Sequence, residues 1–148
     1  MIATNRYLDT LERSGIRRFT NLANAYPDVT FYFFYPPYSI ILWNNYYRTG
    51  LLGQMLEAYE MASHMMLECE NIRLYSFWSE YEIISDLNNY TDLEHHNSQI
   101  NSKILQDMRT GKNQLTKENQ QTYWKELYHF YSTFDYISLL ESYGYSVG

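Results

Sequence analysis

The chain has one cysteine, Cys69, so its 148 residues can form no intrachain disulfide. In a helical pattern the expected role is a buried thiol. Long apolar runs are missing too: no segment reaches the ~18 consecutive apolar residues of a membrane-spanning helix. Cations are scarce. There are 11 Lys and Arg against 17 Asp and Glu, for a net charge of −6 and a pI near 5.1. With no basic run, this balance argues against nucleic acid or an anionic membrane as the main partner. The first residues lack the charged-then-apolar order of a secretory signal. Repeats, low-complexity tracts and long linkers are absent. At this length one domain is expected.

Aromatic residues are abundant: 17 Tyr, 7 Phe and 3 Trp. The tyrosines do not cluster with the cations, so the stacking groove of a single-strand binder is not indicated. Residues 4–25 read as helical with a break at Ser14-Gly15. Leu8 and Leu11 mark one apolar face, and Phe19, Leu22 and Ala23 a second, before Pro27-Asp28 stops the helix. Val29–Tyr35 is β-branched and aromatic without polar alternation, the pattern of a strand buried on both faces. Pro36-Pro37 ends it, and Tyr38–Arg48 is expected to be an aromatic loop or short turn.

Residues 50–69 form the clearest amphipathic helix, with Leu52, Met55, Leu56, Tyr59, Ala62 and Met66 at helical spacing. Asn71 ends it, and Ile72–Phe77 reads as a second strand. Asn97 or Ser98 can cap a helix carrying Ile100, Ile104, Leu105 and Met108, with Gly111 as its terminator. Thr116 can cap a last helix whose apolar face is Trp124, Leu127, Tyr128, Tyr131 and Phe134. Helix, strand, helix, strand points to an α/β fold with parallel strands. Two strands make a poor sheet for that much apolar helix surface. The expectation is that further strands come from another chain or from a missing N-terminal half.

Asp92-Leu-Glu-His95, followed by His96, lies in the polar stretch Ser85–Ser98. An Asp three residues before a His can share a face of a turn with it. The carboxylate then holds one imidazole nitrogen and frees the other, the orienter-and-base half of a catalytic triad. On the motif alone the favoured reading is a structural Asp–His bond that caps a helix. A metal site from Asp92, Glu94, His95 and His96 is disfavoured, because helical zinc pairs use i, i+4 spacing and a further ligand. Ser39 follows a strand and its prolines but lacks the Gly-x-Ser-x-Gly elbow that exposes a nucleophile. Tyr38, Trp43, Tyr46 and Tyr47 fit two roles, stacking on sugar rings or plugging the gap above the sheet. His64 and Met61, Met65 and Met66 read as helix packing. Lys117, Glu118, Lys125 and Glu126 read as a solvated face.

Taken in order, Val29–Tyr35 with Pro36-Pro37-Tyr38-Ser39, then Asn71–Phe77, then Asp86–His96 resemble the fourth strand, fifth strand and final Asp-x-x-His block of the SGNH (GDSL-like) hydrolase superfamily. The likeness spans residues 16–134 and is closest to members encoded with bacterial cell-surface polysaccharide genes. It implies a partial three-layer α/β/α, flavodoxin-like domain. The Gly-Asp-Ser nucleophile block, the oxyanion glycine and the Gly-x-Asn-Asp block have no match, so residues 1–148 are expected to be a single partial domain without its nucleophile half. The resemblance further implies a serine esterase or O-acyltransferase acting on an acylated surface glycan. His95 would be its general base, Asp92 the orienting carboxylate, and the Tyr38-Ser39 loop the lining of the site. No cofactor or metal is implied. The parent would belong to the cell envelope, and this chain would be inactive alone. The rival expectation is a non-enzymatic interaction protein that self-associates or binds a partner through an exposed sheet edge.

Overall fold

A computed structural model describes residues 15–146. In chain order it contains α1 (Arg17–Ala25), β1 (Phe31–Tyr35), α2 (Ile40–Arg48), α3 (Leu52–Leu67), β2 (Ile72–Ser76) and α4 (Tyr81–Ser85). A 3₁₀ turn at Leu87–Asn89 precedes α5 (Ser98–Thr110), β3 (Gln114–Leu115), α6 (Gln120–Thr133) and α7 (Tyr136–Ser142). The expected helix at residues 4–14, with Leu8 and Leu11, lies outside the described residues. The fold is mixed α/β around a three-stranded sheet of order β1-β2-β3. No helix of the described residues is long and apolar enough to cross a membrane.

β1 and β2 are parallel and in register from Phe31 opposite Ile72 to Tyr35 opposite Ser76, as helix–strand–helix–strand order requires. β3 is a third, antiparallel strand of two residues, with Leu115 opposite Leu74. It is too short to carry a periodic signal. α3 crosses between the parallel strands and buries Leu52, Met55, Leu56, Ala62 and Met66 on the main core. Leu74, Trp78, Trp124, Leu127 and Tyr131 complete that core. On the other side of β2, Tyr75 and Phe77 pack against Ile100 and Ile104 of α5. Asn97 caps α5 by accepting the N–H groups of Gln99 and Ile100, and Gly111 closes it at φ 76°, where a Cβ would be strained.

Three sequence expectations are corrected. β1 is not buried on both faces: Phe31, Phe33 and Tyr35 face the core, but Tyr32 and Phe34 are 59% and 43% exposed. The reason is that β1 is the outer strand, and α5 covers the second face only over β2. The stretch after Pro36-Pro37 is a helix, not a loop. Ser39 takes extended angles at its start, and Ile40, Leu42 and Trp43 are buried. Tyr128 of the expected apolar face of α6 points to solvent. The expected cap at Thr116 is present on the turn that leads into α6: Thr116 Oγ1 accepts the Asn119 N–H at 3.3 Å, Asn119 Oδ1 accepts the Thr116 N–H at 2.8 Å, and the Gln120 N–H donates to the Thr116 carbonyl at 3.2 Å.

Candidate functional site

Residues 86–97 form a loop held over the exit of β1 by three long-range bonds. The Ser39 N–H and Oγ–H both donate to the Leu93 carbonyl, at 3.1 and 2.9 Å. The Tyr90 hydroxyl donates to the Pro37 carbonyl at 2.8 Å. At the exit of β2, Trp78 Nε1–H donates to the Pro36 carbonyl at 2.8 Å. Because β1 and β2 are parallel, both exits lie at the same end of the sheet. In open parallel sheets ligands bind outside that end.

Within the loop, Tyr90 and His96 form an antiparallel bridge, and Thr91 N–H donates to the His95 carbonyl at 2.9 Å. Asp92 organises the tip. Its Oδ1 accepts the N–H groups of Glu94 and His95, both at 2.8 Å, and its Oδ2 accepts His95 Nδ1–H at 2.7 Å. The backbone N–H of Glu94, then that of His95 and the imidazole, hold the carboxyl down at about 2. Asp92 thus caps a turn, where a helix cap was the structural expectation, and it also bonds the His95 imidazole.

A carboxylate only accepts, so the bonded Nδ1 carries a proton, and Nε2 is the ring nitrogen left to face outward. The side chains of His95 and Asp92 are 78% and 56% exposed. Among the described residues no serine, threonine or cysteine side chain bonds to Nε2. His95 borders a shallow cavity of about 340 Å³ that it lines with Pro36, Tyr38, Glu94, His96 and Asn101. Burial first, then the nearby Glu94 carboxylate, raises the Tyr38 hydroxyl, which stays protonated as a donor. His96 makes a separate contact: its Nε2 meets Asn101 Oδ1 at 3.0 Å, and its Nδ1 is buried without a partner among the described residues. No group of three or more His, Cys, Asp or Glu among the described residues is placed to hold a metal.

The other sequence candidates separate cleanly. Ser39 is 1% exposed and does not line the cavity, so it fastens the loop and does not face a substrate. Trp43 is buried and stacked on Tyr131 at 4.1 Å, and Tyr47 stacks on Tyr136 at 5.8 Å. Of the four loop aromatics, Tyr38 alone reaches the cavity. His64 meets Gln120 at 3.2 Å, and Lys117 pairs with Glu68 at 3.2 Å. Tyr90 and Asn101 escaped sequence reading, for neither carries a local motif. Compared with family models, curated proteins and solved structures, the chain has no significant match in any of the three.

Proposed function

We propose that this chain supplies the general-base half of an SGNH-like serine esterase or O-acyltransferase that acts on an acylated cell-surface glycan. The observation that carries the reading is the 2.7 Å Asp92–His95 bond, which leaves Nε2 free on a loop outside the carboxyl ends of two parallel strands. Helices packed on both sides of β2 fit a three-layer, flavodoxin-like parent. In this reading His95 Nε2 takes the proton of a serine hydroxyl as the oxygen attacks the ester carbonyl, and later returns it to the leaving alcohol. Asp92 fixes the tautomer and stabilises the imidazolium. Tyr38 donates toward the bound acyl-glycan. In this reading the hydroxyl nucleophile comes from the N-terminal half that the resemblance implies and that residues 1–148 do not match, because an Asp–His pair by itself has nothing to activate. No cofactor takes part.

The test compares p-nitrophenyl acetate and O-acetylated polysaccharide hydrolysis by protein purified from its native source, with and without His95→Ala. The expected loss is on the order of 10³-fold or more, while the isolated 148-residue chain stays at the level of its own His95→Ala variant. Native protein that hydrolyses neither ester, or is indifferent to His95→Ala, overturns the reading.

A further inference from the structure

The outer edge of the sheet is shaped to pair with another strand. Phe31 N–H donates to Asn71 O at 2.8 Å, and Phe77 N–H donates to Tyr35 O at 3.0 Å. The peptide groups of residues 31, 33 and 35 therefore face β2. Alternation along a strand turns the N–H and C=O groups of Tyr32 and Phe34 to the outer edge, where no strand lies among the described residues. The side chains of Tyr32 and Phe34 stand exposed on the sheet face beside that edge. On the opposite face Phe19, 41% exposed, sits 4.9 Å from the Phe33 ring. Natural edge strands are blunted by charge, proline or a bulge. Here no charged residue occurs from Val29 to Tyr47, and the prolines come after the strand.

We propose that this edge binds a second copy of the chain, with β1 antiparallel to its twin about a twofold axis at Phe33. A twofold contact requires residue i to meet j and j to meet i. Centred on Phe33, the register places Tyr32 opposite Phe34 of the second copy and Phe34 opposite its Tyr32. These are the two residues whose peptide groups face outward, so each pair exchanges both of its hydrogen bonds. Each pair also sets two exposed aromatic rings side by side, the cross-strand contact that stabilises sheets. The charge pattern favours the same partner and direction. The edge has no charge with which to select a charged peptide. Antiparallel pairing sends the two Asp28 carboxylates to opposite ends of the ribbon, whereas parallel pairing sets them side by side. The inference concerns this chain without the strands that a missing N-terminal half would add, since in the proposed parent enzyme such a strand would compete for the same edge.

The experiment has two parts. Light scattering on the purified chain should give twice the 17.9 kDa chain mass, and Phe34→Pro should halve it. Proline there removes an outward N–H that β2 does not use, so the circular dichroism spectrum should be unchanged. Register is read in a Cys69→Ser background by mixing Tyr32→Cys with Phe34→Cys chains. Opposed Cα atoms about 5.5 Å apart are within disulfide reach. The mixture should cross-link on oxidation, and neither variant should do so alone. A monomeric wild type, a dimer that survives Phe34→Pro, or self-cross-linking of Tyr32→Cys each overturns the proposal. The last outcome would mark a parallel edge.

Discussion

Ser39 and Leu93, 54 positions apart, are joined twice: the serine N–H and its hydroxyl both donate to the same leucine carbonyl. One residue thereby anchors the loop that carries Asp92 and His95 to the start of α2. Ser39→Ala removes the 2.9 Å hydroxyl bond and leaves the N–H bond in place. The expected cost is ~0.5–1.5 kcal/mol in urea unfolding, the net worth of one hydrogen bond. Esterase activity of the native-source protein should fall far less than in His95→Ala. Equal loss in the two variants would mean that the Ser39 hydroxyl takes part in the chemistry.

Asp92 should titrate with a midpoint near 2 by carboxyl-carbon NMR, because its charged form accepts three bonds. A depressed folded pKa means that the contribution to loop order is complete above the ordinary carboxylate range and is lost as the pH falls through about 2. His95→Ala removes only the ring bond, and the two backbone bonds remain. The midpoint in that variant should rise yet stay below the ordinary aspartate value. A full return to that value would mean that the imidazole, and not the turn, sets the shift.

How much of this was legible in the sequence follows from the range of each interaction. α3, Asn97 and Gly111 declared themselves through spacing and capping chemistry, which act within one or two turns. The Asp92–His95 bond is also local, i to i+3, and its spacing announced it. β1 was legible as a strand, but an apolar run does not say which face a helix will cover, so the exposure of Tyr32 and Phe34 was hidden. α2 was masked because Pro36-Pro37 and a dense aromatic stretch read as a loop, although Ile40 and Trp43 fall on one helical face. β3 exists only because β2 pairs with it. The tethers Ser39–Leu93 and Tyr90–Pro37 span 54 and 53 positions and leave no local pattern.

Asn71 was read only as a helix stop, yet its amide lies within hydrogen-bond distance of three carbonyls, Ala23, Tyr26 and Val29, at 3.0, 3.1 and 2.9 Å. It draws the end of α1 and the lead-in to β1 onto the start of β2. Asn71→Ala should cost about 0.5–1.5 kcal/mol, the net worth of a hydrogen bond, because the Ala23 and Tyr26 carbonyls keep the backbone donors Tyr26 N–H and Val29 N–H. Hydrogen exchange should quicken first at Tyr26 and Val29, whose N–H bonds close the connection. Asn71→Asp should be at least as damaging, because its carboxylate faces those same oxygens.

Trp43 and Tyr47 separate the core role of the α2 aromatics from a sugar-stacking one. Trp43 is fully buried, stacks on Tyr131 and meets Trp78 edge-on at 4.9 Å, whereas Tyr47 is 47% exposed. Trp43→Ala should lose about 3–5 kcal/mol, the range for truncating a buried large aromatic ring. Tyr47→Ala should lose less, because its ring gives up only a half-exposed contact with Tyr136. Trp43→Phe keeps a ring against Tyr131 and removes an indole N–H that has no partner among the described residues, so it should recover most of the loss. Parallel urea titrations of the three variants decide the matter. A mild Trp43→Ala would mean that the cluster around Trp78 closes without it, and that the α2 ring is free for another use.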